Sequence, residues 1–334
     1  MCIPRARSRG TLNVHVIVTC SKRKRGRIQD RVRLSDVVAP CVPERAERWV
    51  STLARATGPK VAARDLYQGE KWTQLRELEQ QDIDGADLRF WILSAGYGLV
   101  PFDAPLLPYS ATFGQDDSDS VIHKAFDVTP KEALAGWWRA LSAWEGPTNE
   151  PRSIGDLVRK NPDCSLMIAA SPVYLQAIEE DLASAEDAMA APARLTIFSG
   201  GADSNGNASR LLAFDGRLRN RFGGSLMSLN VRVLSAVLHA AGDFTSSSAQ
   251  RAIDKWMEDT PKPAQPQRER MSDAAVRRFV RAELVEAPEL GWTTLLRKLR
   301  AGGRACEQKR FRSIHLEIHN EVQVERQSDF GKRK

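Results

Sequence analysis

Trp91-Ile-Leu-Ser-Ala-Gly-Tyr-Gly-Leu-Val-Pro-Phe-Asp-Ala-Pro-Leu-Leu-Pro-Tyr109 is the stretch that most directly predicts the fold of this chain. Its apolar start continues a short run over residues 90–93, the pattern of a buried strand. Small and turn-forming residues follow over 94–98. Open α/β sheets bind ligands where a strand ends in such a loop, so the stretch predicts a strand and one wall of a binding crevice. An ordinary strand-to-loop connection is the alternative interpretation.

Further apolar segments that end in small or polar residues predict more strands. They lie at residues 13–19, 165–170 and 194–198. Helical patterns separate them at residues 43–56, 65–81, 131–144 and 173–181. This alternation predicts an α/β fold, a Rossmann-like three-layer sandwich with a mostly parallel sheet of four or more strands. The ends of at least three strands are then expected to meet on one side and form one crevice.

Length and composition restrict the class of protein. The 334 residues are 42% hydrophobic and 27% charged, which is typical of a globular protein with a substantial core. No run of about 18 apolar residues is present, so we expect no membrane span. The basic first ten residues lack a cleavable apolar segment, which favours a cytoplasmic protein.

Metal and cofactor chemistry is not indicated. The five cysteines and five histidines are scattered and have no metal-ligand spacing, so we predict no metal site and no cofactor. The formal net charge of +7 and the pI near 9.3 permit an anionic partner.

A basic run, Cys20-Ser-Lys-Arg-Lys-Arg-Gly-Arg27, follows the first predicted strand directly. Clustered cations at the end of a strand suit a phosphate or a nucleic-acid backbone. A solvated basic loop is the alternative.

A helix entrance near residue 225 is a second candidate binding element. Gly223-Gly224 predicts a chain reversal, and Ser225 or Ser228 predicts a cap for a helix that ends near residue 241. The first turn of this helix presents Asn230 and Arg232, which can bind an anion or the edge of a base. A capped helix with exposed polar residues explains the pattern equally well.

The C-terminal part of the chain is predicted to be separate from the α/β domain, which spans residues 1–245. Residues 246–270 suggest a proline-rich linker around one short helix. Residues 271–325 predict a helical module of helix-turn-helix shape, and residues 326–334 predict a basic tail. Nucleic-acid contact through the last helix is the preferred interpretation of this module, and a helical cap is the alternative.

The motifs together resemble a known group of proteins. They are Cys20-Ser-Lys, Leu66-Tyr67, and Leu93-Ser-Ala-x-Tyr-Gly-Leu99 followed by Pro101, Asp103 and Pro108-Tyr109. The chain resembles the YaaA-like and archaeosine-transglycosylase-associated domains, which share a uracil-DNA-glycosylase-like fold. The stretches 222–232 and 299–311 are similar to bacterial relatives of that domain, and the resemblance covers residues 12–240 and the C-terminal module.

The resemblance implies a basic cleft that handles nucleic acid or a nucleobase. Members of the wider fold include base-excising glycosylases, some of them anti-phage enzymes that attack modified bases, and DNA-binding stress proteins. The chain lacks the Gly-Gln-Asp-Pro-Tyr and His-Pro-Ser-Pro motifs of uracil glycosylases, so uracil is not the expected substrate. We therefore predict an enzyme similar to DNA N-glycosylases that flips and excises a modified base in anti-phage defence. A non-catalytic DNA-binding protein and a base-exchange partner in tRNA modification are the alternatives.

Cleavage of a nucleoside C1′–N bond places chemical demands on such a site. It needs a carboxylate near the sugar, hydrogen-bond donors for the leaving base, and an aromatic face for the flipped base. Asp103 is the predicted carboxylate, and Asp116 and Asp203 are further candidates. Cys20 has no evident base beside it and is interpreted as a small wall residue rather than a nucleophile.

The remaining candidates fall into two groups. The base pocket is predicted to use Cys20, Ser21, Tyr67, Ser94, Ala95, Tyr97, Gly98, Tyr109 and Asn230. Contacts with nucleic acid, preferably DNA rather than tRNA, are predicted for Lys22, Arg23, Lys24, Arg25, Arg27, Arg217, Arg232, Lys309, Arg310 and Arg312.

Overall fold

A computed structural model of the chain describes most of its residues. The described ranges are 11–26, 32–115, 117–123, 125–200, 210–240, 242–262 and 267–331, and residues 326–331 are described by their backbone alone. The chain divides after Pro261 into two compact units, here called the α/β unit and the helical unit. No helix in the described ranges is long and apolar enough to cross a membrane.

Helices and strands alternate along the α/β unit. In chain order they are β1 (Leu12–Thr19), β2 (Val32–Arg33), α1 (Val42–Arg55), β3 (Val61–Ala62), α2 (Ala63–Leu66), α3 (Glu70–Glu79), β4 (Ala86–Ser94), β5 (Gly98–Pro101), β6 (Pro105–Leu106), β7 (Tyr109–Ser110), α4 (Pro130–Ala143), α5 (Ile154–Lys160), β8 (Ser165–Ala169), α6 (Pro172–Ala177), α7 (Glu179–Ala188), β9 (Leu195–Phe198), α8 (Leu218–Phe222), α9 (Leu229–Ala240) and α10 (Ser246–Glu258).

A five-stranded sheet in the order β5-β4-β1-β8-β9 forms the centre of this unit. β4, β1, β8 and β9 run parallel to one another, and β5 runs antiparallel to β4. Val16 in the middle of β1 lies opposite Phe90 on one side and Met167 on the other. The α/β class and the mostly parallel sheet are confirmed. Residues on both faces of β1 are buried, which explains its continuous run of β-branched residues.

The residues after β4 form a tight reversal, not an open loop. The chain turns back at once, so that Ser94 pairs with Gly98 and Trp91 pairs with Pro101. Gly98 has a φ of +73°, a conformation that favours glycine. Two buried indoles hold the reversal: the Trp49 Nε1 donates to the Gly96 carbonyl at 2.7 Å, and the Trp137 Nε1 donates to the Ala95 carbonyl at 2.8 Å.

The segment predicted to be a linker begins with a regular helix. Thr245 caps α10 by accepting a hydrogen bond from the Ser248 amide at 3.3 Å. Ala249 and Ile253 on this helix are fully buried in the core of the α/β unit. The division between the units follows this helix, after Pro261.

The helical unit has a separate core. Its elements are β10 (Glu269–Arg270), α11 (Asp273–Glu286), α12 (Trp292–Ala301), β11 (Arg304–Ala305) and α13 (Gln308–Gly331). β10 and β11 form a short parallel ribbon. The three helices expected here are present, and their apolar faces form one cluster. α13 continues to Gly331, past residue 325 where the predicted module ends, so part of the predicted tail is helical.

Candidate functional site

A crevice of about 340 Å³ opens at the carboxyl ends of β1 and β8. Four segments and the single residue Thr112 line it: the segments are residues 19–22 at the end of β1, residues 68–71 at the start of α3, residues 169–174 from the end of β8 into α6, and residues 225–231 at the start of α9. This is the edge at which parallel α/β sheets bind ligands. The end of β4 takes no part in it.

Four of the predicted site residues line this crevice, namely Cys20, Ser21, Lys22 and Asn230. The Asn230 amide joins two strand ends, because its Nδ2 donates to the Ala170 carbonyl at 3.2 Å and its Oδ1 accepts from the Gly200 amide at 3.0 Å. The start of α9 is therefore held against the ends of β8 and β9.

The three tyrosines predicted to contact the base are buried instead. Tyr67 and Tyr109 have no exposed surface, and Tyr97 is 3% exposed. The Tyr109 hydroxyl lies 2.9 Å from that of Tyr67 and 2.8 Å from the Ser94 Oγ, so these hydroxyls satisfy one another. Burial raises the pKa of both Tyr67 and Tyr109 well above the ordinary value. No face of these rings is available to a base.

The rest of the β4–β5 reversal is also buried. Ser94 and Ala95 have no exposed surface, and Gly98 is buried against the Leu141 side chain. The predicted base-pocket role of Ser94, Ala95 and Gly98 is corrected. The reversal that contains them is buried in the core, where the two indoles donate hydrogen bonds to its carbonyls.

Tyr174, the remaining tyrosine of the chain, does line the crevice. The residue is partly exposed, and its ring packs against Phe113, with 4.7 Å between the ring centroids. Its hydroxyl lies 3.0 Å from the Cys20 Sγ. Burial, and then the nearby Cys20, raises the pKa of Tyr174 well above the ordinary value, so the phenol is neutral at pH 7. Its position just after Ser171-Pro172, at the end of a strand, is the sequence signal for this residue.

Asp103 lies outside the crevice. It is exposed and lines a separate cavity of about 270 Å³ with Arg64, Glu79 and Arg89. The antiparallel course of β5 explains this position, because it returns the chain alongside β4, where the Phe102 amide donates to the Phe90 carbonyl at 3.1 Å. The prediction that Asp103 is the carboxylate of the crevice, near the sugar, is therefore corrected. Asp116, Asp203 and Arg27 are outside the described residues.

Glu70 is the one carboxylate among the described residues that line the crevice. It is the first residue of α3 and follows Gly69, whose φ is +114°. Its Oε1 lies 2.6 Å from the Arg232 Nη2, and the Ser225 amide donates to its carboxylate at 3.2 Å. These hydrogen bonds lower the pKa of Glu70 to about 2, so the group is ionised at neutral pH.

Glu70 was missed because the pattern over residues 65–81 predicts one long helix, which places Glu70 inside the helix rather than at its start. The structure has a short helix, α2, and then a new start at Gly69. A glycine before a Glu-rich helical pattern is the signal that locates this start.

Lys71 supports the end of β1. Its Nζ donates to the Thr19 carbonyl at 2.8 Å, to the Thr19 Oγ1 at 2.9 Å and to the Cys20 carbonyl at 3.1 Å. Burial lowers the pKa of Lys71 to about 8. A positive charge that titrates near physiological pH is thus placed in the wall of the crevice.

The basic run after β1 is divided between structural and exposed side chains. Lys22 forms an ion pair with Asp117. Lys24 is buried, and its Nζ donates to the Ser21 carbonyl at 3.1 Å and lies 4.1 Å from the centroid of the Tyr109 ring. Arg23 and Arg25 are exposed. A phosphate-binding role fits the last two and does not fit the buried Lys24.

Two further arginines that were predicted to bind nucleic acid form ion pairs and donate hydrogen bonds within the α/β unit. The Arg217 Nη2 pairs with Asp215 at 3.0 Å, and its Nη1 donates to the Met257 carbonyl at 3.3 Å. The Arg232 Nη1 donates to the Phe222 carbonyl at 3.0 Å, in addition to the Glu70 pair.

The three cations predicted on α13 differ in their surroundings. Arg310 pairs with Asp273, and its Nη2 donates to the Met271 carbonyl at 2.7 Å. The Arg312 guanidinium lies 5.8 Å from the centroid of the Trp292 ring, and Lys309 is exposed.

No group of three or more His, Cys, Asp or Glu side chains within the described ranges could hold a metal ion. Comparison with known proteins gave no match, whether to a family model, to a curated protein or to a solved structure.

Proposed function

We propose that the crevice holds one nucleobase and its sugar, flipped out of DNA, and that the protein hydrolyses the N-glycosidic bond between them. The observation that carries the proposal is that an ionised carboxylate, Glu70, and a partly exposed tyrosine, Tyr174, line one cavity at the carboxyl edge of the sheet. A flipped base needs an aromatic face, and the sugar of a departing base needs a nearby negative charge. The cavity volume lies at the lower end of the roughly 300–1,000 Å³ found for small-molecule sites.

The chemistry assigns different roles to the side chains of the crevice. The C1′–N bond breaks and its electron pair leaves with the base. Water adds its oxygen to C1′, and the proton lost by that water ends on the base. Glu70 has a pKa of about 2 and is a weak base, so its role is to stabilise the positive sugar electrostatically. The Lys71 ammonium and the neutral Tyr174 phenol stabilise the negative charge that grows on the base.

The finer parts of the proposal rest on the resemblance of the sequence. They are a Rossmann-like, three-layer arrangement of the uracil-DNA-glycosylase type, a modified base of phage DNA as substrate, and a cytoplasmic location in anti-phage defence. The mostly parallel sheet and the position of the crevice support the first of these.

A direct test incubates the full chain with phage DNA in which cytosine is hypermodified, with unmodified DNA and with tRNA. Free base and abasic sites are then measured by mass spectrometry. Release of base from the modified DNA alone is the expected result. DNA binding without release from any of the three would overturn the hydrolase and support a DNA-binding protein. Release from tRNA with incorporation of an added base would support base exchange.

The binding-only function has one observation in its favour. The Glu70 carboxylate is occupied by Arg232 and by the Ser225 amide, a pairing that also serves to join α3 to the start of α9.

Tyr174→Ala is expected to weaken binding of a fluorescent single-stranded oligonucleotide by about 5- to 150-fold, because stacking of one base contributes about 1–3 kcal/mol. Tyr174→Phe keeps the ring and should bind within about threefold of the wild type. Tyr67→Phe alters a buried ring and should leave the affinity unchanged. Fluorescence anisotropy measures all four proteins, and equal affinity of Tyr174→Ala and wild type would exclude stacking on this ring.

The affinity for the same oligonucleotide is expected to fall as the pH rises through about 8. Lys71 carries its proton below that pH and loses it above, so the crevice wall becomes less positive. Lys71→Met should abolish this fall in affinity with rising pH. Lys22→Met, which alters an exposed lysine at the same crevice, should retain it. If the affinity of Lys71→Met still fell near pH 8, a group other than Lys71 would be responsible for the pH dependence.

A further inference from the structure

The net positive charge of the chain belongs entirely to the helical unit. Residues 262–334 contain 17 Lys and Arg and 10 Asp and Glu, a formal charge of +7, which equals the charge of the whole chain. Residues 1–261 contain 32 of each kind and are formally neutral. Long-range attraction of a polyanion is therefore a property of the smaller unit.

Acidic side chains neutralise one part of the helical unit. Arg277 pairs with Glu317, and Arg281 pairs with both Glu321 and Glu325, so that α11 and α13 are joined by ion pairs. Two further pairs, Lys298–Glu283 and Arg310–Asp273, join α12 and α13 to α11. These cations have local carboxylate partners and are poor candidates for phosphate contacts.

A second set of cations lacks such partners. Within the described ranges, no carboxylate lies within 4.0 Å of the members of this set, which we call the arginine surface: Arg268, Arg270, Arg278, Arg297, Arg300 and Arg304. They line two cavities, of about 430 and 620 Å³, beside the β10–β11 ribbon. Glu269 is the one carboxylate among the described residues that line these cavities.

Each of the two cavities also contains a partly exposed aromatic ring. Trp292 lies in the first, with Arg268, Arg297 and Arg300, and Phe279 lies in the second, with other members of the arginine surface. Grooves that combine cations with aromatic rings bind single-stranded nucleic acid, because the cations follow the phosphates and the rings stack on the bases.

We propose that the arginine surface binds a single strand of nucleic acid. This surface differs from the set predicted on α13, which is Lys309, Arg310 and Arg312 and of which Arg310 is paired with Asp273. The proposal for the arginine surface does not depend on whether the crevice of the α/β unit cleaves a bond. An acidic peptide or an anionic membrane would be attracted by the same charge, but neither requires the two aromatic rings beside it.

The test compares two triple variants of the full chain that each remove three positive charges. Arg268→Gln/Arg297→Gln/Arg304→Gln alters the arginine surface, and the matched control Arg277→Gln/Arg281→Gln/Lys298→Gln alters only ion-paired cations. Binding of a fluorescent 20-nucleotide DNA strand is measured by anisotropy between 50 and 200 mM salt. Thermal unfolding of each protein confirms that it is folded.

The first variant is expected to lose at least tenfold in affinity. Its plot of log affinity against log salt should be shallower by about 2, because each phosphate contact on a single strand contributes about 0.7. The control should stay within about twofold of the wild type. Equal losses in the two variants, or no loss in the first, would overturn the proposal. Binding of poly-glutamate or of phosphatidylserine vesicles as tight as that of DNA would overturn it as well.

Discussion

Glu70→Gln is expected to lower the rate of base release by about 100- to 1,000-fold, the usual effect of removing one electrostatic contact to a transition state. The amide keeps the size of the side chain, and its oxygen still accepts hydrogen bonds from the Ser225 amide and from Arg232. Only the negative charge that is proposed to stabilise the sugar is lost. Single-turnover release of base from hypermodified phage DNA measures the effect, and anisotropy should show nearly unchanged DNA binding.

Asp103→Asn is the matched control, because it makes the same change of carboxylate to amide at an exposed position outside the crevice. Its rate should equal that of the wild type. If Glu70→Gln released base at the wild-type rate, Glu70 would have no role in catalysis. A large loss in Asp103→Asn, with Glu70→Gln unaffected, would place the chemistry in the smaller cavity beside β4.

The second large effect concerns stability. Trp137→Ala is expected to lower the free energy of unfolding of the α/β unit by about 3–5 kcal/mol. The side chain is fully buried, and its Nε1 donates to the Ala95 carbonyl, so the substitution leaves both a cavity and an unpaired acceptor in the β4–β5 reversal. Urea denaturation followed by circular dichroism measures the change.

Trp137→Phe separates the two contributions. It keeps most of the packing and removes only the hydrogen bond, so a loss of about 1–2 kcal/mol is expected. Since the chain has two compact units, both substitutions should shift the transition of the α/β unit and leave that of the helical unit in place. A loss below about 1 kcal/mol for Trp137→Ala would show that the reversal does not depend on this indole.

The sheet could be predicted because its signals are local. β1, β8 and β9 each consist of adjacent apolar residues followed by small or polar ones, and strands of that kind meet at a common edge. The start of α9 was found for the same reason, since glycine and serine mark a helix entrance. Cys20, Ser21 and Asn230 are at these strand ends and this helix entrance, and they line the crevice.

The course of the chain after β4 could not be predicted in the same way. Nothing between Ser94 and Gly98 distinguishes a reversal from a loop, because the indoles that hold it come from α1 and α4. The position of Asp103 depends on that reversal. The positions of Glu70 and Tyr174 in the crevice depend on which helices begin at the edge of the sheet. Packing between segments that are distant in the sequence decides where those helices begin.

The strand order also has a consequence for synthesis on the ribosome. β1 is the first strand of the described residues and the central strand of the sheet, and its neighbour β8 begins only at Ser165. At about 5–20 residues per second, roughly 7–30 s pass before that neighbour is made. During this interval the edge of β1 that later pairs with β8 has no native partner, and an unpaired strand edge can pair with another chain.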